Sequence, residues 1–174
     1  LNIDDLIELV EQHGKSIYRF CYKLAGNKAD ADDLYQDTFL KAVELRFKMN
    51  PSHNPKAFLI SIAVRLYKNH RRKLAWRQRI APTTEFDAAA NSLDSTTSKA
   101  TPEDAVISIE LRTLIQDATH QLEDKLRLPI YMYYTADMTV EEIALALGIP
   151  QGTVKSRLHK ARQTMKKALE VVSP

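Results

Sequence analysis

TVEEIALALGIPQGTVKSRLHKAR, Thr139 to Arg162, is the stretch whose reading decides the fold of this chain. Thr139 followed three residues later by Glu142 forms a capping box, in which each side chain satisfies a backbone N–H that the first helical turn leaves free. Ile143, Ala144 and Leu147 recur at helical spacing, and Gly148 supplies the left-handed residue at which a helix stops. Ile149 plugs the turn. A second helix starts near Pro150 or Gln151, with Val154, Leu158, Ala161 and Met165 as its inward stripe. This is a helix-turn-helix pattern. Its second helix carries six Lys/Arg and no acid before Glu170, which a hairpin with an ordinary solvated face does not require. Duplex-DNA binding is the expected function. Lys155, Ser156, His159 and Lys160 face outward near the N-terminal half, where side chains reach major-groove base edges. Thr153, Arg157, Arg162 and Lys166 are better placed for phosphates, which fix register without reading sequence. His159 has no second His or Cys at ligand spacing, so a base or phosphate contact is expected rather than a metal.

Upstream of this pair, Ile107, Leu111, Leu114, Ala118 and Leu122 form another helical stripe, and a shorter helix is expected around Leu126 to Tyr134, with Pro129 in its early turns. Ala81 to Pro102 has eight Ser/Thr, two prolines and only Phe86 and Leu93 as large hydrophobics, so it reads as a linker. Before it, Ile3, Leu6, Ile7, Val10, Ile17, Phe20 and Leu24 predict one helix, stopped at Gly26-Asn27. Asp30 to Phe47 predicts a second, with Leu34, Thr38, Ala42 and Leu45 inward. The run Asn50-Pro51-Ser52-His53-Asn54-Pro55 is a loop. A third helix starts at Lys56, buries Phe58, Leu59, Ile62, Ala63 and Leu66, and runs into basic residues. The expected architecture is all-α: two small helical domains, residues 1–80 and 103–174, joined by a linker over 81–102.

Composition bounds the rest. The 174 residues carry a formal net charge of +3, with one cysteine and four glycines. One cysteine excludes a disulfide framework or a Cys-built zinc site and suits a reducing compartment. No apolar run approaches the ~18 residues that span a bilayer, and no signal peptide is read at Leu1. The charge is unevenly spread: −1 over residues 1–64, +7 over 65–80, −8 over 81–149 and +5 over 150–174. Two separated basic segments suit two contacts on one polyanion. The first of them, Arg65 to Arg79, places Arg65, Lys68, Asn69 and Arg72 on one face with Tyr67, His70 and Trp76 interleaved. That mixture suits nucleic acid whose bases can be unstacked, and equally a plain amphipathic helix. On the second helix Asp33, Gln36 and Asp37 share an outer face, which suits either a basic protein partner or a solvated acidic helix start. The Asp-rich run is no calcium loop, because the glycine of the sharp turn is missing. Cys21 faces inward near Ile17 and Leu24 as a core residue, and Tyr131, Tyr133 and Tyr134 are expected to pack. No Gly-rich phosphate loop, metal spacing or nucleophile motif supports an enzyme, and no cofactor is expected. An operator-binding regulator with an N-terminal sensor domain would not need the Asp33/Gln36/Asp37 face.

Three segments in order, GNKADADDLYQDTFLKA (Gly26–Ala42), FLISIAVRLYKNHRRK (Phe58–Lys73) and MTVEEIALALGIPQGTVKSRLHKAR (Met138–Arg162), around an acidic Ser/Thr linker, carry a family resemblance. Over nearly its whole length the chain resembles the extracytoplasmic-function (ECF) sigma factors, the smallest class of bacterial sigma-70-type promoter-specificity subunits. The resemblance implies that the first domain is sigma region two and that Asp33, Gln36 and Asp37 contact the clamp coiled coil of the polymerase largest subunit. It implies capture of the melted minus-ten strand by Phe47, Lys48 and the Met49–Pro55 loop, with Arg65, Lys68, Asn69 and Arg72. Region four would read the minus-thirty-five duplex through Lys155, Ser156, His159 and Lys160, with Thr153, Arg157 and Arg162 on phosphates. Core RNA polymerase, promoter DNA and an anti-sigma factor are the implied partners of a cytoplasmic chain that is monomeric when free. A 22-residue linker has a relaxed span of roughly 25 Å and an extended reach of about 70 Å. Elements one and a half helical turns apart lie roughly 50 Å apart on duplex, so the linker is expected to be held extended at a promoter. In the free chain the two domains are expected to pack together, with the acidic middle shielding the basic helices.

Overall fold

The computed structural model describes residues 2–50, 53–81 and 102–172. The expected linker therefore lies outside the described residues except for Ala81 and Pro102, as do Pro51 and Ser52 of the expected loop. Among the described residues every regular element is helical. The order is α1 (Ile3–Ala25), α2 (Lys28–Leu45), a 3₁₀ turn (Arg46–Lys48), α3 (Pro55–Ile80), α4 (Pro102–His120), α5 (Asp124–Ile130), a π turn (Tyr131–Thr135), α6 (Val140–Leu147) and α7 (Gln151–Val172). None of these helices is long and apolar enough to cross a membrane.

The helix ends follow local chemistry. Asn2 and Asp5 form a capping box that opens α1, and Gly26 closes it at φ 82°. The Asn27 side chain accepts the Asp30 N–H to open α2. Asn54 accepts from Lys56 N–H, and Pro55 occupies the first turn of α3, where its missing donor is harmless. The capping box at Thr139 and Glu142 is formed as expected, and Gly148 ends α6 at φ 65°. Pro129 lies inside α5, where it deprives the Lys125 carbonyl of its partner. One residue past Ile130 the helix widens into the π turn, whose Ala136 N–H reaches back five residues to the Tyr131 carbonyl.

Helices α1, α2 and α3 pack against one another around Ile17, Phe20, Leu59, Ile60 and Val64, all at most 1 % exposed. The stripe on α1 differs in part from expectation: Leu9 and Gly14 join the core, where Cys21 lies as expected, while Ile3, Ile7 and Val10 lie exposed. Helices α1 and α2 approach closely at Gly14, where a Cβ would come within 2.9 Å of the Tyr35 hydroxyl. Tyr18, Tyr35 and Phe39 meet edge to face across the same seam. The second unit packs α5, α6 and α4 around α7, whose Val154, Leu158 and Ala161 are buried. On α4, Ala118 is buried but Leu111 is exposed, and the Ile107 side chain lies outside the described ones.

The two units do not stand apart. Helix α3 packs on α6, α1 packs on the π turn, and the apolar residues form one continuous core. Lys56 Nζ lies 3.8 Å from Asp137 Oδ2 and Arg71 Nη2 lies 3.4 Å from Asp124 Oδ2, both across this seam. Lys23 of α1 sits 5.7 Å above the Tyr131 ring.

Cys21 is fully buried, and burial pushes its thiol from the usual 9.0 up to about 12. The folded chain keeps this proton at a pH where an unfolded thiol has lost it, so stability should fall as pH rises from about 9 towards 12. At neutral pH a thiol reagent such as DTNB is expected to label Cys21 only at the rate of chain opening, and burst labelling of the folded protein would contradict that burial.

Candidate nucleic-acid interface

Helix α2 separates two kinds of acid. Asp32 accepts the Tyr18 hydroxyl at 2.7 Å and Lys28 Nζ at 2.9 Å. These two hydrogen bonds, Tyr18 first, hold its carboxyl below the usual carboxylate range. Asp33, Gln36 and Asp37 are exposed on the outer face and engage no described side chain. The face continues past them as an apolar strip, Leu40 at 64 % exposure, then Val43 and Phe47. Spacings of three and four residues put this strip in line with Gln36, so the helix presents polar and apolar groups together. Leu40 and Val43 went unnoticed in the sequence because the inward stripe, Leu34, Thr38, Ala42 and Leu45, already gave the helix a complete core face. Thr38 is buried as expected, its hydroxyl satisfied by the Leu34 carbonyl at 2.6 Å.

Phe47 and Lys48 lie exposed on the 3₁₀ turn, with the Arg46 guanidinium 4.3 Å from the Phe47 ring centre, while Met49 tucks inward. Arg65, Lys68, Asn69 and Arg72 lie along α3, and the Arg72 guanidinium donates to Asn69 Oδ1. These four line a cleft of about 620 Å³ that Phe47 and Lys48 do not enter. Its far wall comes from the second unit: Asp124, Lys125, Leu145, Gly148 and Arg157 among others. Thus Arg157, expected on duplex phosphates, and Lys68, expected on a separated strand, face the same space. Burial first, then the charges of Arg157 and Arg72, hold the Lys68 ammonium below its usual range. Six cations line the cleft and Asp124 is its one acid, already engaged by Arg127 of α5 and Arg71 of α3. Among the described residues, direct ion pairs to acids reach Arg71 and Lys56 of α3, whereas Asp124 acts on Lys68 only through its charge and is outweighed there by Arg157 and Arg72.

On α7, Lys155, Ser156, His159 and Lys160 are exposed together on the N-terminal half, away from the buried Val154 and Leu158. Thr153 and Arg157 are half-buried. Arg162 is exposed but held: its Nε donates to the Tyr134 hydroxyl at 2.7 Å, and its guanidinium lies 5.5 and 5.4 Å from the Tyr133 and Tyr134 rings. Only Tyr131 packs inside. Tyr133 and Tyr134 stay exposed and orient Arg162, a role that appears only when the π turn places them beside α7.

Comparison with known proteins gives a consistent answer. Residues 9–77 match Sigma-70 region 2 and residues 112–165 match Sigma-70 region 4. The chain is 31 % identical over 173 residues to the ECF RNA polymerase sigma factor SigW of Bacillus subtilis, covering 95 % of this chain and 89 % of that one. It is 29 % identical to SigL of Mycobacterium tuberculosis, over 93 % of this chain and 87 % of its relative. The fold is similar to that of the sigma factor RpoE of Bartonella quintana in complex with the anti-sigma factor NepR, with a TM-score of 0.77 and 21 % identity, over 97 % of this chain and 99 % of that one. It is also similar to CnrH in complex with the cytosolic domain of CnrY, with a TM-score of 0.69 and 19 % identity, over 99 % and 92 %. This is a two-part, all-helical protein of the sigma-70 type. The chain belongs to the ECF RNA polymerase sigma factors.

The seam between the units holds charge in tension, and Asp124 is its counterweight. Asp124→Lys adds a seventh cation to the cleft and breaks the pairs to Arg71 and Arg127. It is expected to raise the radius of gyration of the free chain in small-angle scattering, with helicity unchanged by circular dichroism. An unchanged radius would show that apolar packing alone sets the arrangement.

Proposed function

We propose that this chain directs a bacterial RNA polymerase to its promoters from the cytoplasm, gripping DNA at two places and performing no covalent chemistry. The observation that carries the reading is the presence of three faces of different chemistry: the mixed polar and apolar face of α2, the cationic face of α3 and the outer face of α7. Asp33, Gln36 and Asp37, with Leu40 and Val43 beside them, dock the core enzyme. A basic partner surface matches the acids, and the apolar strip adds burial. Lys155, Ser156, His159 and Lys160 read the minus-thirty-five duplex, while Thr153, Arg157 and Arg162 hold phosphates. Phe47, Lys48, Arg65, Lys68, Asn69 and Arg72 receive the melted minus-ten strand.

Strand opening is driven by binding energy. Extruding a base costs a few kcal/mol, and stacking in a receiving site returns about 1–3 kcal/mol per base. The cations offset phosphate repulsion as the strands part, a contribution that weakens as salt rises. Because Lys68 and Arg157 share one cleft, the packed arrangement cannot serve both promoter elements. Engagement requires the units to separate while residues 82–101 bridge them. An anti-sigma factor that holds them together would keep the chain silent, in keeping with the bound partners of the RpoE and CnrH structures.

Run-off transcription with core polymerase on a promoter library is the deciding experiment, and the chain should yield discrete promoter-dependent transcripts. Asp37→Arg is expected to abolish co-purification with core enzyme while leaving the far-ultraviolet spectrum intact. Retained binding would remove α2 from the docking face. Lys160→Ala should weaken binding to duplex carrying the upstream element by about 1–3 kcal/mol while sparing single strands. Equal loss on both would mean that Lys160 does not read bases.

A further inference from the structure

We propose that the exposed end of α3 is a second single-stranded-DNA subsite, in which the Trp76 indole stacks on an unpaired base and Arg72, Lys73 and Arg79 hold the flanking phosphates. The inference rests on the promoter-binding reading and adds Trp76, Lys73 and Arg79 to the residues of α3 named there.

Three observations support it. The last buried residue of α3 is Tyr67, yet the helix continues to Ile80, projecting its final residues over about 20 Å with little apolar cover. A helical segment of that length is marginal without a partner. Residues 65–80 contain no acid, so the projection is cationic throughout. On it, Asn69, Arg72, Lys73, Trp76 and Arg79 follow one another at helical spacing and line a shallow groove of about 710 Å³. Trp76 is 65 % exposed and, among the described residues, stacks on no other ring and under no cation. The Arg72 guanidinium is already oriented by Asn69.

The chemistry selects the ligand. Cations alone would serve duplex and single strand alike. An open indole face between them serves only a base whose own face is free, and it does so with little regard to sequence. The groove is open without any movement of the second unit. All its lining residues belong to α3, whereas Arg65 and Lys68 look into the cleft walled by the second unit. A strand engages Trp76 while the units are still packed. Arg72, which lines both spaces, is the point from which it passes to Lys68 and Arg65 once they separate.

Trp76 is the sole tryptophan, so its emission reports the subsite directly. The full chain, titrated at low salt with a short labelled oligothymidine strand, should show quenched Trp76 emission in step with rising anisotropy. The matching duplex should raise anisotropy without that quenching. Trp76→Ala should weaken strand binding about tenfold with helicity intact, and Trp76→Phe should recover most of the loss. Arg79→Ala should keep the quenching and lower the salt slope by about one. Strand binding with unchanged emission, equal quenching by duplex, unaltered affinity of Trp76→Ala or no strand binding at all would each overturn the subsite. Run-off transcription by the unaltered chain is scored separately: absent transcripts refute the promoter-binding reading, whereas intact transcripts without quenching refute the subsite alone.

Discussion

A single helix, α3, packs against α1, α2 and α6 at once, and the arrangement of the molecule depends on that sharing. Its first half supplies Leu59, Ile60, Ala63 and Val64 to the core, and the apolar cluster runs continuously from one unit into the other. Burial of Leu59, Ile60 and Val64 contributes roughly 1.5–3 kcal/mol each, far more than the exposed ion pairs at the rim. The same helix carries a row of arginines and lysines on the adjoining face. Covering the apolar side therefore brings those cations towards Arg157 and Lys125 of the second unit.

The result is a seam that is favourable in apolar contact and unfavourable in charge. Asp124 and Asp137 each meet a cation of α3, but Lys68 is left facing Arg157. Such an assembly is a natural two-state element. Apolar packing favours the joined form, and any polyanion that takes the cations favours separation. That suits a promoter-binding subunit, whose ligand is itself a polyanion and whose two target elements lie farther apart than one cleft can span.

Much of this was legible beforehand because it is written in local chemistry. The Thr139 and Glu142 capping box, the left-handed Gly148 and the inward Val154, Leu158 and Ala161 are decided within a few residues, and all appear as read. The acids of α2 were also assigned to the correct outer face. Errors arose where a choice depended on a distant neighbour. Ile3, Ile7 and Val10 share a helical face with the buried Ile17 and Leu24 and look like core, yet they lie exposed, because spacing along α1 does not say how far its partners cover it. Leu40 and Val43 gave no warning of their exposure, and Tyr133 and Tyr134 looked like packing residues until the π turn brought them to Arg162.

The sequence by itself determined the helices, their caps, the two basic segments and the family, because propensity, periodicity and charge act over one or two turns. Tertiary structure alone decided which cations confront one another and which stand free. Lys68 and Trp76 lie two turns apart on the same helix, yet one looks into a cleft and the other into solvent. The difference is the position of α6 and α7, set by the shape of a shared apolar core that no local pattern specifies.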